Sequence, residues 1–130
     1  MSNEPKDAAG IITLSIQVSR QLCEDTMDAA AHGVEYWAHA FEHPGCGPET
    51  LNYAIEEDEP SSGETPKNFV ISPEAIVKGI QAIMHPAFSV RADIRGTLFS
   101  ALVEDDASNI DIEIADIIVQ AAMFGEIIYG

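Results

Sequence analysis

The chain has 130 residues, 46% of them hydrophobic, and carries 22 Asp and Glu against 6 Lys and Arg, for a net charge of −16. That length fits one domain with a core of its own, and the hydrophobic content excludes a disordered chain. The charge excludes direct binding to nucleic acid or to an anionic membrane and favours a basic partner.

Residues 1–10 read as a flexible N-terminal tail, and residues 11–130 as a single α+β domain. In Ile11-Ile12-Thr13-Leu14-Ser15-Ile16-Gln17-Val18-Ser19 the apolar residues Ile12, Leu14, Ile16 and Val18 alternate with polar ones, the pattern of a strand with one buried face. Ser19 is placed to cap a helix from about Arg20 to Glu42. Its core stripe is Leu22, Cys23, Thr26, Met27, Ala30, Val34, Trp37 and Phe41, at the spacing of one helix face. Pro44-Gly45-Cys46-Gly47-Pro48 ends it and turns the chain. Leu51–Ile55 and Asn68–Ile71 read as a hairpin with a long polar tip. Ser72-Pro73-Glu74 is a helix start, a capping serine followed by proline at the first helical position. Further helices are expected over about Val90–Val103 and after a cap at Asn109, the last stopping at Gly125. Glu126–Tyr129 reads as a short strand or an apolar tail on the core. The expected order is strand-helix-strand-strand-helix-helix-helix, a small antiparallel sheet packed against helices. Leu14, Ile16, Trp37, Ile80, Leu98 and Ile117 are expected in the core.

No run of 18 apolar residues is present, so no transmembrane helix is expected. The N-terminus, MSNEPKDAAG, lacks the apolar stretch of a signal peptide. Cys23 and Cys46 make no disulfide framework. A cytoplasmic protein with reduced thiols is the expectation.

The stretch Trp37–Cys46 reads WAHAFEHPGC and contains H-x-x-E-H. On a helix, His39 and His43 would lie one turn apart and could share a zinc ion, with Cys46 as a third ligand. Pro44-Gly45 breaks the helix before Cys46, and exposed histidines opposite a core stripe are ordinarily just solvated. No metal site, no cofactor and no enzymatic activity is expected, and a metal-dependent hydrolase ranks last. Glu56-Glu57-Asp58-Glu59 and Asp106–Ile110 fail the calcium-loop template. Phosphate-binding glycine loops and a G-x-S-x-G elbow are absent, so no catalytic residues are assigned. Cys23, on an apolar helix face, reads as an inert buried thiol.

Gly33-Val34-Glu35-Tyr36-Trp37 and the C-terminal Asp116–Gly130, which contains Phe124-Gly125-Glu126-Ile127-Ile128-Tyr129-Gly130, resemble segments of small acidic accessory proteins carried by tailed phages and prophages. In that family a strand is similarly followed by a helix holding Gly-x-x-Tyr-Trp. The family has no assigned activity, so the resemblance implies a context and no catalytic residues. His39, His43 and Cys46 are not part of its pattern.

The resemblance implies action by binding, in the cytoplasm of a host cell. The leading expectation is a nucleic-acid-mimicking inhibitor of a host or defence protein, as in anti-CRISPR and other anti-defence proteins. Glu56, Glu57, Asp58, Glu59, Glu104, Asp105 and Asp106 would occupy a basic groove. An alternative is a homodimer that sequesters a small nucleotide signal between subunits, using Tyr36, Trp37, Arg91 and Arg95. A structural or virion-associated role is a third reading.

Overall fold

The computed structural model describes residues 9–43, 52–60 and 63–130. Its elements are helix α1 (Arg20–Gly33), strands β1 (Ala38–His43), β2 (Asn52–Glu57) and β3 (Asn68–Ile71), and helices α2 (Pro73–Met84), α3 (Ala92–Glu104) and α4 (Ile112–Phe124). A 3-10 turn, Ala107–Asn109, lies between α3 and α4. The fold is α+β, with one three-stranded antiparallel sheet.

Helix starts follow local chemistry. Ser19 accepts from the Leu22 N–H at 3.1 Å and Ser72 from the Ala75 N–H at 3.2 Å, each satisfying an orphan donor of a first turn. Pro73 sits at the first position of α2, where its missing N–H costs no hydrogen bond. Asp111, not Asn109, caps α4, accepting from the Ile114 N–H at 2.8 Å. Gly125 stops α4 with a left-handed φ of 73°. The tail beyond it is not a strand and lies partly on the core.

Helix α4 is the centre of the molecule, with every residue from Ile114 to Ala121 buried. Two glycines let other helices reach it. A Cβ on Gly33 of α1 would stand 2.3 Å from the Ile112 carbonyl oxygen, and one on Gly79 of α2 would stand 2.4 Å from that of Ile118. Ile80, Leu98 and Ile117 are buried, as the apolar stripes imply, and so is Trp37, although it lies beyond the end of α1.

Two elements depart from the sequence reading. Helix α1 does not continue to Glu42. The chain turns after Gly33, with Trp37 and Ala38 N–H groups donating to the Val34 carbonyl, and enters β1. Pairing with β2 overrides the helical spacing there: Ala38 faces Glu57, Ala40 faces Ile55 and Phe41 faces Ala54. Phe41, placed on a helix by its spacing, lies instead on the outer sheet face, 48% exposed.

The second departure is the alternating segment 11–18. It joins no strand, and Leu14 and Ile16 are not core residues but exposed, at 66% and 37%. Alternation prepares a strand, but only a neighbour's hydrogen bonds make one. The observed order is therefore helix-strand-strand-strand-helix-helix-helix. The hairpin of β2 and β3 is formed as expected, Tyr53 opposite Ile71 and Ile55 opposite Phe69. Residues 1–8 of the expected tail and the turn at 44–48, with Cys46, lie outside the described residues.

The glycine contacts predict opposite outcomes for one substitution at two sites. Gly79→Ala should lower unfolding free energy by about 1–3 kcal/mol, since the methyl group meets backbone that must move. Gly96→Ala, in exposed helix with nothing within 4 Å of the new carbon, should raise it by about 0.5–1 kcal/mol. Urea unfolding of both variants checks the pair.

Candidate functional site

Asp116 and Gln120 interrupt the apolar run of α4 one turn apart, on one helix face. Both are buried. Asp116 Oδ1 accepts from the Trp37 indole N–H at 2.8 Å and the Gln120 amide at 3.0 Å, and Oδ2 accepts from the Tyr36 hydroxyl at 2.6 Å. A buried carboxylate without such donors would be strongly destabilising. Gln120 then ties down the C-terminal segment: its Oε1 accepts from the Ile128 and Tyr129 N–H groups, both at 2.8 Å, and its amide donates to the Tyr129 carbonyl at 3.1 Å. Tyr129 stacks on Trp37, centroids 4.9 Å apart and planes at 9°, and its hydroxyl donates to Glu57. Tyr36-Trp37, Asp116 and the C-terminal segment thus meet in one cluster.

Beside this cluster opens a cleft of about 580 Å³. Ile94, Ile112, Ile117 and Ile127 form its apolar walls, and Tyr36, Arg91, Glu113 and Asp116 are its polar lining. Of the four residues assigned to a nucleotide pocket, Tyr36 and Arg91 come together here. Trp37 lies buried behind them, its indole N–H engaged by Asp116. Arg95 serves another purpose: it donates to the carbonyls of Ile83, His85 and Phe88 at 3.1, 3.3 and 2.8 Å, closing the end of α2. Arg91 is held by Glu113 at 2.6 Å and Asp93 at 3.3 Å. A cleft with one paired cation and two lining carboxylates repels a phosphate, so its electrostatics run against the nucleotide reading.

The first acidic cluster divides. Glu56 and Glu59 are exposed, whereas Glu57 is buried, accepting from the Lys67 N–H at 3.1 Å and from the Tyr129 hydroxyl. Asp58 pairs with His39. In the second cluster all three side chains are exposed. Asp105 accepts from the Ser19 hydroxyl at 2.6 Å. Asp106 caps the 3-10 turn through Ser108, whose hydrogen bonds hold its carboxyl below the usual range. Ser19 precedes α1 and Trp37, whose carbonyl accepts from the Asp58 N–H, follows it. The clusters therefore sit near opposite ends of a 14-residue helix, on the order of 20 Å apart. Asp25 and Asp28 are exposed along it.

His39 and His43 occupy a strand rather than a helix, so their backbones lie about 13 Å apart and not one helical turn. Cys46 lies outside the described residues. Among the described residues no group of three His, Cys, Asp or Glu is arranged to hold a metal. Burial raises the Cys23 thiol above its ordinary value, as an inert core thiol requires. The sequence reading gave no role to Asp116, Gln120 or Tyr129. The available signal was a carboxylate and an amide four residues apart inside an otherwise apolar run.

All three tyrosines donate to carboxylates: Tyr36 to Asp116, Tyr53 to Asp28 and Tyr129 to Glu57. Burial, then the hydrogen bond, pushes Tyr53 and Tyr129 up to about 12 and raises Tyr36 as well. A folded-state value above the unfolded one, about 10, means stability that is complete below pH 10 and lost as pH rises through the folded values. The urea midpoint, followed through the lone Trp37 beside Tyr129, should hold steady from pH 7 to 9 and fall between about pH 10 and 12. Gln120→Ala should cost about 2–3 kcal/mol by orphaning the Ile128 and Tyr129 N–H groups. Amide exchange at those two residues should then accelerate ahead of the helices.

In comparisons with known proteins, no family model, curated protein or solved structure matches the chain.

Proposed function

We propose that the protein acts by binding, and that its carboxylate surface occupies the basic groove of a nucleic-acid-binding protein of the host or of its defence machinery. The observation that supports this reading is how little of the negative charge is neutralised. Among the described residues only Glu57 and Asp116 are buried acids, and Arg91 is the single lysine or arginine in an ion pair. Exposed carboxylates with neighbours of the same sign are held in place by folding at an electrostatic cost, and a basic surface relieves that cost. The separation of the two clusters, about 20 Å along α1, corresponds to roughly six phosphates of one duplex strand at 3.4 Å each. The resemblance to phage and prophage accessory proteins supports a partner inside the infected cell. Among the described residues no helix is long and apolar enough to cross a membrane.

The variants that test this avoid carboxylates with a folding role. Glu56→Lys, Glu59→Lys and Glu104→Lys, combined, change three exposed side chains and should leave the unfolding free energy within about 1 kcal/mol. A protein captured from host lysate by the parent chain should lose its nucleic-acid binding on capture. It should be captured at least about tenfold less well by the triple variant, and less well by the parent as salt rises. Capture that is indifferent to both the reversals and to salt would refute mimicry. By contrast Glu57→Lys should unfold the protein, because it puts an ammonium group where a buried carboxylate accepts from the Lys67 N–H and the Tyr129 hydroxyl.

A further inference from the structure

Residues 10–18 form the one described segment whose physical character contradicts its surroundings. Its apolar side chains alternate as in a half-buried strand, yet Ile12 is 86% exposed and Leu14 66%. No backbone N–H or carbonyl of residues 10–18 bonds to another described residue's backbone. The segment carries no ionisable residue, although the chain as a whole has a net charge of −16. It lies beside Leu102 and Val103 at the end of α3, the latter also exposed. The Ser19 cap of α1 and its bond to Asp105 fix its exit there.

We propose that this segment pairs with the same segment of a second copy, as an antiparallel two-stranded ribbon about a two-fold axis at Ser15. With Ser15 opposite Ser15, Leu14 faces Ile16 and Ile12 faces Val18, so these four apolar residues of both copies fall on one face of the ribbon and Ile11 alone falls on the other. Thr13 then faces Gln17 on the other face, in water. A shift of one residue would put apolar opposite polar throughout. Charge selects the occupant. A basic partner is drawn to the carboxylates, not to an uncharged strip. Two copies of a chain this acidic can approach closely only where neither carries charge, and this segment provides such a strip. Ile12 and Leu14 of each copy have the most surface to bury, whereas Val18 already packs in part against its own core. The pairing is independent of the proposed mimicry.

Sedimentation velocity of the full chain from about 1 to 100 μM, a range that resolves micromolar association, should show a species of twice the 14.0 kDa chain mass. Higher salt should favour it, because screening weakens repulsion between like charges, the opposite of its effect on a basic partner. Leu14→Glu with Ile16→Glu should give a monomer with unchanged far-ultraviolet circular dichroism. In a Cys46→Ser background, Ser15→Cys should form a disulfide-linked dimer on mild oxidation. Gln17→Cys should not, since this register holds the two Gln17 positions about 13 Å apart, beyond disulfide reach. A parent chain that stays monomeric at the highest concentration, a double variant that still dimerises, or cross-linking through Gln17→Cys as fast as through Ser15→Cys would each overturn the proposal.

Discussion

A carboxylate buried without a cation is the constraint around which this fold is organised. Asp116 sits on the central helix, 5% exposed, and its oxygens are satisfied by an indole, a phenol and an amide. Each donor comes with structural consequences. The indole and phenol belong to consecutive residues, so the chain must leave α1 and turn at Val34 to present both. The amide belongs to Gln120, whose remaining capacity holds the C-terminal segment. That segment returns Tyr129 to the face of Trp37 and to Glu57 at the end of β2. One acid thereby links the end of α1, the middle of α4, the sheet and the C-terminus.

The same solution recurs across the molecule. With 22 acidic residues and 6 basic ones, salt bridges cannot satisfy the acids that folding brings close to protein. Phenols, serine hydroxyls and backbone N–H groups do so instead, at Asp28, Glu57, Asp105, Asp106, Asp111 and Asp116. Neutral donors add no positive charge, so satisfying the inner acids leaves the outward field undiminished. The few arginines are spent locally: Arg95 on the carbonyls after α2, Arg91 on two carboxylates at the cleft rim. This is why the cleft is a poor anion site despite its volume.

Close helix packing supplies the second condition. Gly33 and Gly79 bring α1 and α2 against the backbone of α4, and at these distances a helix can be buried on nearly all sides. That explains how α4, apolar around most of its circumference, is the best-buried element. Gly33 also lies where the helix gives way to the turn, so one small residue serves both the close approach and the change of direction.

Features that depend on neighbours in the chain were legible before any fold was known. Capping serines at 19 and 72, proline at 73, the stop at Gly125, the hairpin read at 51–55 and 68–71 and the α+β class all rest on local hydrogen bonds, fixed dihedrals or short-range pairing. The acidity of the surface was legible for the same reason: charge is a property of composition. The rest came from contacts between segments far apart in the chain. Residues 38–43 have helical spacing and became a strand because β2 offered a ladder, and residues 11–18 have strand spacing and gained no ladder because no described strand lies alongside. Asp116, Gln120 and Tyr36–Trp37 acquire their roles from contacts that span 79 to 84 residues of chain. A pattern in sequence records which face of an element is apolar. Whether a polar atom within that face finds its donors is settled only when distant segments meet, because a hydrogen bond depends on distance and angle in space and not on separation along the chain.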